Sequence, residues 1–277
     1  MTGAMGSGAT GSERIERTFG RLRGESRKAL VIYLMAGHPS VAFTERLVPR
    51  LAEAGADLIE LGFPFSDPVA DGPVIQAAGQ RAIHHFSGLE DYLEMVKRIR
   101  RATELPLVIM TYYNPIFRFG EDAFLARARE AGLDGAIIPD LPLEEGLDWR
   151  DRCAAQGFAS IYLEAPNTTP EHAQEIAEAS RGFIYLVSLK GVTGAQKGLG
   201  ENLEERIARL RGLVNTPLVV GFGIATPEHA RRFGAVSDGV IVGSAIVKRI
   251  EEASSPDGAE AAVMELVRGM RAAMDGE

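Results

Sequence analysis

Short apolar runs alternate with amphipathic segments along most of the chain. Eight apolar runs occupy residues 30–37, 57–64, 106–113, 135–140, 158–165, 182–189, 217–224 and 238–245. Their residues are almost continuously apolar, whereas a strand with one solvated face would alternate apolar and polar residues. The pattern is typical of strands that are buried on both faces of a parallel sheet.

The segments between these runs predict helices. They cover residues 43–55, 89–101, 121–132, 170–181, 201–213 and 227–235. Thr169 and Thr226 each stand directly before a Pro-Glu pair. Each therefore combines a capping hydroxyl with a proline in the first turn and a carboxylate near the positive end of the helix. Gly55 and Gly132 follow helical patterns and predict helix ends.

Strand-like runs that alternate with helices predict a single-domain (β/α)8 TIM barrel of the α/β class. The alternative is an open doubly wound sheet, which would favour a glycine-rich dinucleotide turn after the first strand. Residues 37–40 read GHPS and do not match that turn. Residues 13–23 predict an extra N-terminal helix that covers the bottom of the barrel. We expect residues 1–12 to be a disordered Gly/Ser-rich tail and residues 13–277 to form the catalytic barrel domain.

Composition and charge limit the kinds of molecule that this protein is expected to bind. The chain has 277 residues, of which 45% are hydrophobic and 25% charged, and a formal net charge of −8. Without a basic block, this charge argues against nucleic acid or an anionic membrane as a partner, although backbone amides can still bind a phosphate group. No apolar run has membrane-spanning length. The single cysteine, Cys153, excludes an internal disulfide and fits a cytoplasmic protein, and no Cys/His/carboxylate cluster has the spacing of a metal site.

The stretch ELGFPFSDPVADGP, residues 60–73, places an acid at the end of an apolar run. Side chains alternate along a strand, so Glu60 shares a face with Leu58 and Gly62, while bulky apolar residues occupy the other face. Glu60 is therefore predicted to point into the barrel mouth, where a carboxyl group suits proton transfer. A structural ion pair, or a carboxylate bonded to backbone amides, is the alternative interpretation.

Two further acids, Asp67 and Asp71, follow in the loop after this strand. Prolines stiffen the loop, so an acid in it could accept a hydrogen bond from a bound ligand at a fixed place. The alternative is that both aspartates only bond their own backbone in turns, which is a common role for this residue and more so here for Asp67 than for Asp71.

Glycine-rich segments end the last strand-like runs. GFG at 221–223 ends the seventh run, and GSA at 243–245 ends the eighth and opens a helical segment. Barrels of this type often bind phosphate at these two loops, with backbone N–H groups and a helix N-terminus. The segment 190–200, KGVTGAQKGLG, is longer than a usual connection and predicts a lid over the substrate, with a solvated loop as the alternative.

The chain resembles the tryptophan synthase alpha subunit family. ELGFPFSDPVADGP resembles the most diagnostic segment of that family, and GVTGA (191–195), GFGI (221–224) and GSAIV (243–247) follow in the same order at similar spacing. PDLPLEE (139–145) and YYNP (112–115) also resemble it. The resemblance implies a (β/α)8 barrel that acts in tryptophan biosynthesis. It implies a carbon–carbon lyase that cleaves indole-3-glycerol phosphate, by a retro-aldol reaction, to indole and glyceraldehyde 3-phosphate.

The resemblance also implies residue roles. Glu60 matches the catalytic acid–base glutamate, which protonates indole C3 and helps remove the proton of the glycerol hydroxyl. Asp71 matches the catalytic aspartate that hydrogen-bonds the indole N–H. Substrate-binding positions are Tyr185, Thr193, Tyr112, Tyr33, Met110 and Ile137, and phosphate-binding positions are Gly194, Phe222, Gly223, Gly243 and Ser244.

The implied assembly is an α2β2 heterotetramer. This chain would need no metal or organic cofactor, and indole would pass through a tunnel to a beta subunit that carries pyridoxal phosphate. Two residues depart from the family pattern: His38 replaces the aspartate of a Gly-Asp-Pro turn, and Lys190 precedes GVTG where many members carry an uncharged residue. Two alternatives remain, namely a stand-alone lyase that releases free indole and a non-catalytic barrel that acts as a binding partner.

Overall fold

The predicted strands form one parallel sheet. The computed structural model describes residues 10–187, 203–221 and 223–276. Within these residues the strands are β1 Ala29–Met35, β2 Leu58–Gly62, β3 Leu107–Met110, β4 Gly135–Ile137, β5 Ala159–Ile161, β6 Leu163–Glu164, β7 Ile184–Val187, β8 Leu218–Gly221 and β9 Gly239–Val242. Every pairing of neighbouring strands in this part of the chain is parallel. Most strands are a few residues shorter than their apolar runs, because the ends of the runs lie in the adjoining turns. β1 instead begins one residue before its run and ends two residues before the end of it.

The sheet curls into a barrel, as predicted. Its strand order is β5-β4-β3-β2-β1-β9-β8-β7-β6. β5 and β6 stand at opposite ends of this order, yet only Tyr162 separates them along the chain. The backbone carbonyl of Tyr162 accepts a hydrogen bond of 3.0 Å from Tyr185 N on β7. The fifth apolar run therefore pairs first with β4 and then with β7, which closes the barrel and explains why eight runs give nine strands in the described residues.

Alternation along the strands separates two cores. Ile59 and Leu61 of β2 belong to a large apolar cluster that lies between the sheet and the helices. Leu58 of the same strand belongs to a second cluster inside the barrel, together with Val31 and Val108 of the neighbouring strands. Glu60 follows the pattern of Leu58, so its side chain faces the barrel interior as the sequence predicts.

Helices surround the sheet. In the described residues they are α1 Gly11–Gly24, α2 Val41–Leu51, α3 Pro73–Ala82, α4 Leu89–Arg100, α5 Tyr113–Phe119, α6 Glu121–Ala131, α7 Leu147–Ala155, α8 Pro170–Ala179, α9 Leu203–Arg211, α10 Pro227–Val236, α11 Ser244–Glu252 and α12 Pro256–Asp275.

Thr169 and Thr226 cap α8 and α10 as predicted. The helical patterns did not include α5 and α12. α12 begins with Pro-Asp-Gly, which resembles a turn, but Ser255 caps it by accepting a hydrogen bond from Gly258 N.

Helix α1 covers the amino ends of the strands. Its buried residues Ile15, Phe19 and Leu22 join the interior cluster, and Arg14 pairs with Asp134, which directly precedes β4. The helix begins two residues before the predicted boundary, because Thr10 forms a capping box with Glu13. The expected tail therefore does not reach to residue 12, and residues 1–9 lie outside the described residues.

Among the helices of the described residues, none combines the length and the apolar character that a membrane crossing requires.

Candidate active site

Glu60 lies inside the barrel near the carboxyl end of β2. Its residue is 3% exposed, and its Oε2 atom has no hydrogen-bond partner among the described residues. Burial, and secondarily the charge of Asp71, raise the pKa of Glu60 from 4.5 to about 8. Desolvation favours the neutral acid, so Glu60 holds a proton at neutral pH that it can donate.

Asp71 faces the same mouth from the loop between β2 and α3. The Tyr112 hydroxyl accepts a hydrogen bond of 2.9 Å from Ala70 N and also hydrogen-bonds the Asp71 carboxylate. Gln76 Nε2 donates to the Asp71 backbone carbonyl at 2.8 Å, which fixes the loop from the side of α3. Burial raises the pKa of Asp71 to about 6, and the Tyr112 hydrogen bond opposes that rise.

The two carboxyl groups therefore differ in protonation near neutral pH. With pKa values of about 8 and about 6, Glu60 is mainly protonated and Asp71 mainly ionised. Environments that separate the pKa values of neighbouring acids are typical of acid–base sites. Such a pair can deliver a proton with one group and stabilise positive charge with the other.

Asp67 has a different environment from Asp71. Its side chain is exposed and accepts a hydrogen bond of 2.5 Å from Ser66 Oγ, while its backbone carbonyl accepts one of 2.9 Å from Val69 N. These local contacts describe a turn residue at the loop surface, in line with the alternative that the sequence left open for this position.

Two glycines make room for tyrosine side chains in the mouth. A Cβ atom added to Gly62, the last residue of β2, would lie 2.3 Å from the Tyr33 hydroxyl oxygen. A Cβ atom added to Gly221, the last residue of β8, would lie 2.3 Å from the Tyr185 hydroxyl oxygen. Glycine at each strand end thus allows a ring to cross the neighbouring strand. The sequence interpretation missed this role, and the only available signal was glycine at an inward-facing position.

The proposed apolar lining comes together in the interior cluster. Tyr33, Met110, Ile137 and Tyr185 are all members of it and are buried. Tyr112 is also buried and stacks on Phe65, with ring centroids 5.2 Å apart. Burial raises the pKa values of Tyr33 and Tyr185 far above their usual value, and the charges of Glu60 and Asp71 add to the effect. Both phenols therefore remain hydrogen-bond donors.

Three of the predicted phosphate-binding residues, Gly223, Gly243 and Ser244, lie just after the neighbouring strands β8 and β9. Gly223 has a φ of 78°, which glycine adopts without strain. Gly243 precedes α11, and the hydrogen bonds of that helix start with Ile246 N, which donates to Gly243 O at 2.9 Å. The N–H of Ser244 therefore has no partner within the helix and faces the amino end, where an anion binds favourably. Thr193, Gly194 and Phe222, together with Lys190 and the predicted lid 190–200, lie outside the described residues.

Comparison with known proteins decides the family. A family model described as "Tryptophan synthase alpha chain" matches residues 19–275. This chain belongs to the tryptophan synthase alpha chain family. The resemblance seen in the sequence motifs is confirmed over almost the whole barrel.

Several relatives of the tryptophan synthase alpha family show the extent of the match. The Geobacter sulfurreducens tryptophan synthase alpha chain is 46% identical over 238 residues, which cover 86% of this chain and 90% of the relative. That of Methanosarcina acetivorans is 48% identical over 245 residues, covering 87% and 88%.

Solved structures of the family have the same fold. The alpha subunit of tryptophan synthase from Legionella pneumophila superposes with a TM-score of 0.86 at 39% identity and covers 95% of this chain and 99% of that one. An aminoacrylate-bound tryptophan synthase structure from M. tuberculosis gives a TM-score of 0.81 at 35% identity, with 93% and 99% coverage.

His38, which replaces the aspartate of the family's Gly-Asp-Pro turn, is buried and contacts helix α11. Its Nε2 atom lies 2.8 Å from Glu251 Oε1, although the contact lacks hydrogen-bond geometry. Glu251 also pairs with Arg81 of α3. Burial lowers the pKa of His38, and Glu251 opposes this effect. These contacts join the turn after β1 to the carboxyl end of the helix whose amino end carries Ser244.

Cys153 lies away from the barrel mouth. Its thiol is buried on α7, and burial raises its pKa. It lines a cavity of about 690 Å³ between α7 and α8 on the outside of the barrel. None of the predicted catalytic or substrate-binding residues that the structure describes lines this cavity. A buried thiol with a raised pKa is also a poor nucleophile.

Proposed function

We propose that this chain cleaves indole-3-glycerol phosphate to indole and glyceraldehyde 3-phosphate in tryptophan biosynthesis. The observation that carries the proposal is the pair of acids in one barrel mouth, Glu60 with a pKa of about 8 and Asp71 with a pKa of about 6. Membership of the tryptophan synthase alpha family supports the choice of substrate, since the match covers residues 19–275 and so includes the segment that holds both acids.

The reaction divides between these two acids. Glu60 donates its proton to indole C3, which places positive charge on the ring nitrogen. Asp71 accepts a hydrogen bond from the indole N–H and stabilises that charge. The resulting Glu60 carboxylate then accepts the proton of the adjacent side-chain hydroxyl. The C–O bond becomes a carbonyl, and the electrons of the broken C–C bond return to the ring.

The phosphate group binds at the opposite side of the mouth. Backbone N–H groups near Gly223 and Gly243 and at Ser244 surround it, and the dipole of α11 adds a favourable potential. Tyr33, Tyr112, Met110, Ile137 and Tyr185 enclose the indole ring. The roles of Thr193, Gly194 and Phe222 are proposed from the family match alone.

A beta subunit is the proposed partner, in an α2β2 assembly in the cytoplasm. The two most exposed large apolar side chains of the described residues follow the carboxyl ends of strands: Val69 after β2 is 82% exposed, and Phe117 in α5 after β3 is 65% exposed. Apolar side chains exposed next to the mouth suit a partner that receives indole. Pyridoxal phosphate would belong to that partner, and this chain would act without a cofactor.

Indole release from indole-3-glycerol phosphate tests the proposal. The purified chain is assayed with and without a tryptophan synthase beta subunit, beside Glu60→Gln, Asp71→Asn and the exposed-loop control Asp67→Asn. Glu60→Gln should lose at least about 100-fold in kcat, since general acid–base catalysis contributes that much. Asp71→Asn should lower kcat more than it weakens binding of a substrate analogue, because the charge that it stabilises develops in the transition state.

Each outcome has a clear meaning. A large rate increase with the beta subunit supports the complex, whereas high activity of the isolated chain supports a stand-alone lyase. Undiminished cleavage in Glu60→Gln contradicts the catalytic assignment. No cleavage by the wild-type protein under either condition favours a non-catalytic barrel.

A further inference from the structure

Two buried polar atoms lie on neighbouring strands of the mouth without a partner. They are the Tyr33 hydroxyl oxygen and Glu60 Oε2, and neither makes a hydrogen bond to any described residue. Tyr33 of β1 and Glu60 of β2 are direct partners in the parallel register. Both residues are at least nine-tenths buried, and an unpartnered polar group at such burial is costly.

The Tyr33 side chain leans from β1 across β2 towards the opening. Its hydroxyl lies over Gly62, two residues beyond Glu60 on the same inward face. The other side of Tyr33 lies against Gly243, because a Cβ atom built there would meet Tyr33 Cβ at 3.4 Å. Tyr33 therefore lies between the Glu60 carboxyl group and the amino end of α11. A ligand that contacts both the Glu60 carboxyl group and the amino end of α11 therefore lies next to the Tyr33 side chain.

The Tyr112 hydroxyl, in contrast to that of Tyr33, already has hydrogen-bond partners in this mouth. Tyr112 accepts from Ala70 N and bonds the Asp71 carboxylate. Tyr33 is a donor that stays protonated, because burial and the nearby acids raise its pKa. Once Glu60 has given its proton to the indole ring, its carboxylate only accepts hydrogen bonds. An alcohol satisfies both groups at once, since its oxygen accepts from the phenol and its hydrogen donates to the carboxylate.

We propose that Tyr33 and Glu60 together bind the side-chain alcohol of the substrate next to the indole ring, and that Tyr33 is a catalytic residue. This inference rests on the proposed cleavage. As the alcohol proton moves to Glu60, its O–H electron pair forms the new C=O bond and the C–C bond to the ring breaks. The Tyr33 O–H keeps its hydrogen bond to the same oxygen throughout, so the developing aldehyde is held and polarised.

Tyr33→Phe tests the inference, because it removes one oxygen atom and keeps the ring that contacts Gly243. Tyr92→Phe is the matched control. The Tyr92 hydroxyl donates to Leu61 O at 3.0 Å on the outer face of the same strand β2. For each variant, kcat and KM are measured with indole-3-glycerol phosphate. Thermal midpoints are measured too, together with the dissociation constant of an analogue that keeps the indole and the three-carbon phosphate but lacks both hydroxyls.

Tyr33→Phe should lower kcat by about tenfold or more, as expected for one lost hydrogen bond in the transition state. Its affinity for the hydroxyl-free analogue should stay within about twofold of wild type, and its thermal midpoint should not fall, because the missing hydroxyl had no described partner. Tyr92→Phe should show the reverse, with unchanged kcat and a lower midpoint. As a second measurement, wild type should bind an analogue that retains the alcohol more tightly than the hydroxyl-free one.

An unchanged kcat in Tyr33→Phe overturns the inference while leaving the proposed cleavage intact. Equal loss of kcat and of analogue affinity also overturns it, since that result indicates a packing role. The inference is also overturned if the wild-type protein binds the alcohol-containing analogue and the hydroxyl-free analogue with equal affinity. If the wild-type protein does not cleave the substrate at all, the proposed function fails first.

Discussion

Replacing Glu60 with glutamine should make the folded protein less sensitive to alkaline pH. The pKa of Glu60 in the folded protein is about 8, against 4.5 when it is unperturbed. Between these values the folded state holds more protons than the unfolded state, so stability falls as pH rises. Glutamine does not titrate and removes this loss.

The size of the effect follows from the same two values. At 1.36 kcal/mol per pKa unit, the rise corresponds to about 5 kcal/mol once the group is fully ionised. Because the unfolded chain is already partly ionised at about pH 5, the linkage relation gives a loss of about 4 kcal/mol between about pH 5 and about pH 9. The residue is 3% exposed, so solvent screening reduces this value little.

Urea unfolding followed by circular dichroism, at a series of pH values, measures the effect. The free energy of unfolding of Glu60→Gln minus that of wild type should increase steadily with pH. Glu130→Gln serves as the control. Lys97 and Arg127 lower the pKa of that exposed carboxyl, whereas the pKa of Glu60 is raised, so Glu130 titrates below this pH range. Its difference from wild type should stay flat over this range. Parallel pH profiles for wild type and Glu60→Gln would refute the argument that Glu60 is buried as a neutral acid.

Substitutions at three further positions test the site and the contacts that support it. Gly62→Ala should reduce kcat, because its Cβ would lie 2.3 Å from the Tyr33 hydroxyl and displace it; wild-type kinetics would contradict this. Gly243→Asp should raise KM by charge repulsion of the phosphate, whereas Gly243→Ala should not, since a Cβ there makes contacts of 3.4 Å or more. Asp134→Asn should lower the free energy of unfolding by about 3–5 kcal/mol, because Asp134 is fully buried between Arg14 and Arg100; a loss below about 1 kcal/mol, measured in urea, would refute it.

Local sequence patterns predicted the barrel and the direction of Glu60. Apolar runs located the strands to within a few residues, and alternation placed Glu60 on the inner face of β2. The hydroxyls of Thr169 and Thr226 predicted helix starts because capping needs only residues close in sequence. The division of the fifth run at Tyr162 could not be predicted, since it depends on pairing with two different strands.

The remaining features depend on contacts between distant parts of the chain. Gly62 makes room for Tyr33, and the contact of His38 with Glu251 joins the turn after β1 to α11. The residues next to Gly62 and His38 in the sequence give no indication of these contacts. The separation of the pKa values of Glu60 and Asp71 likewise depends on burial, which is a property of the folded barrel.

A structure with a bound substrate analogue tests the central claim most directly. The analogue should carry the indole ring, the side-chain alcohol and the phosphate. We expect the phosphate within hydrogen-bond distance of the N–H of Ser244, the indole N–H on Asp71, and the alcohol between Glu60 and Tyr33. A phosphate bound away from the ends of β8 and β9, or an indole ring outside the barrel mouth, would contradict the account.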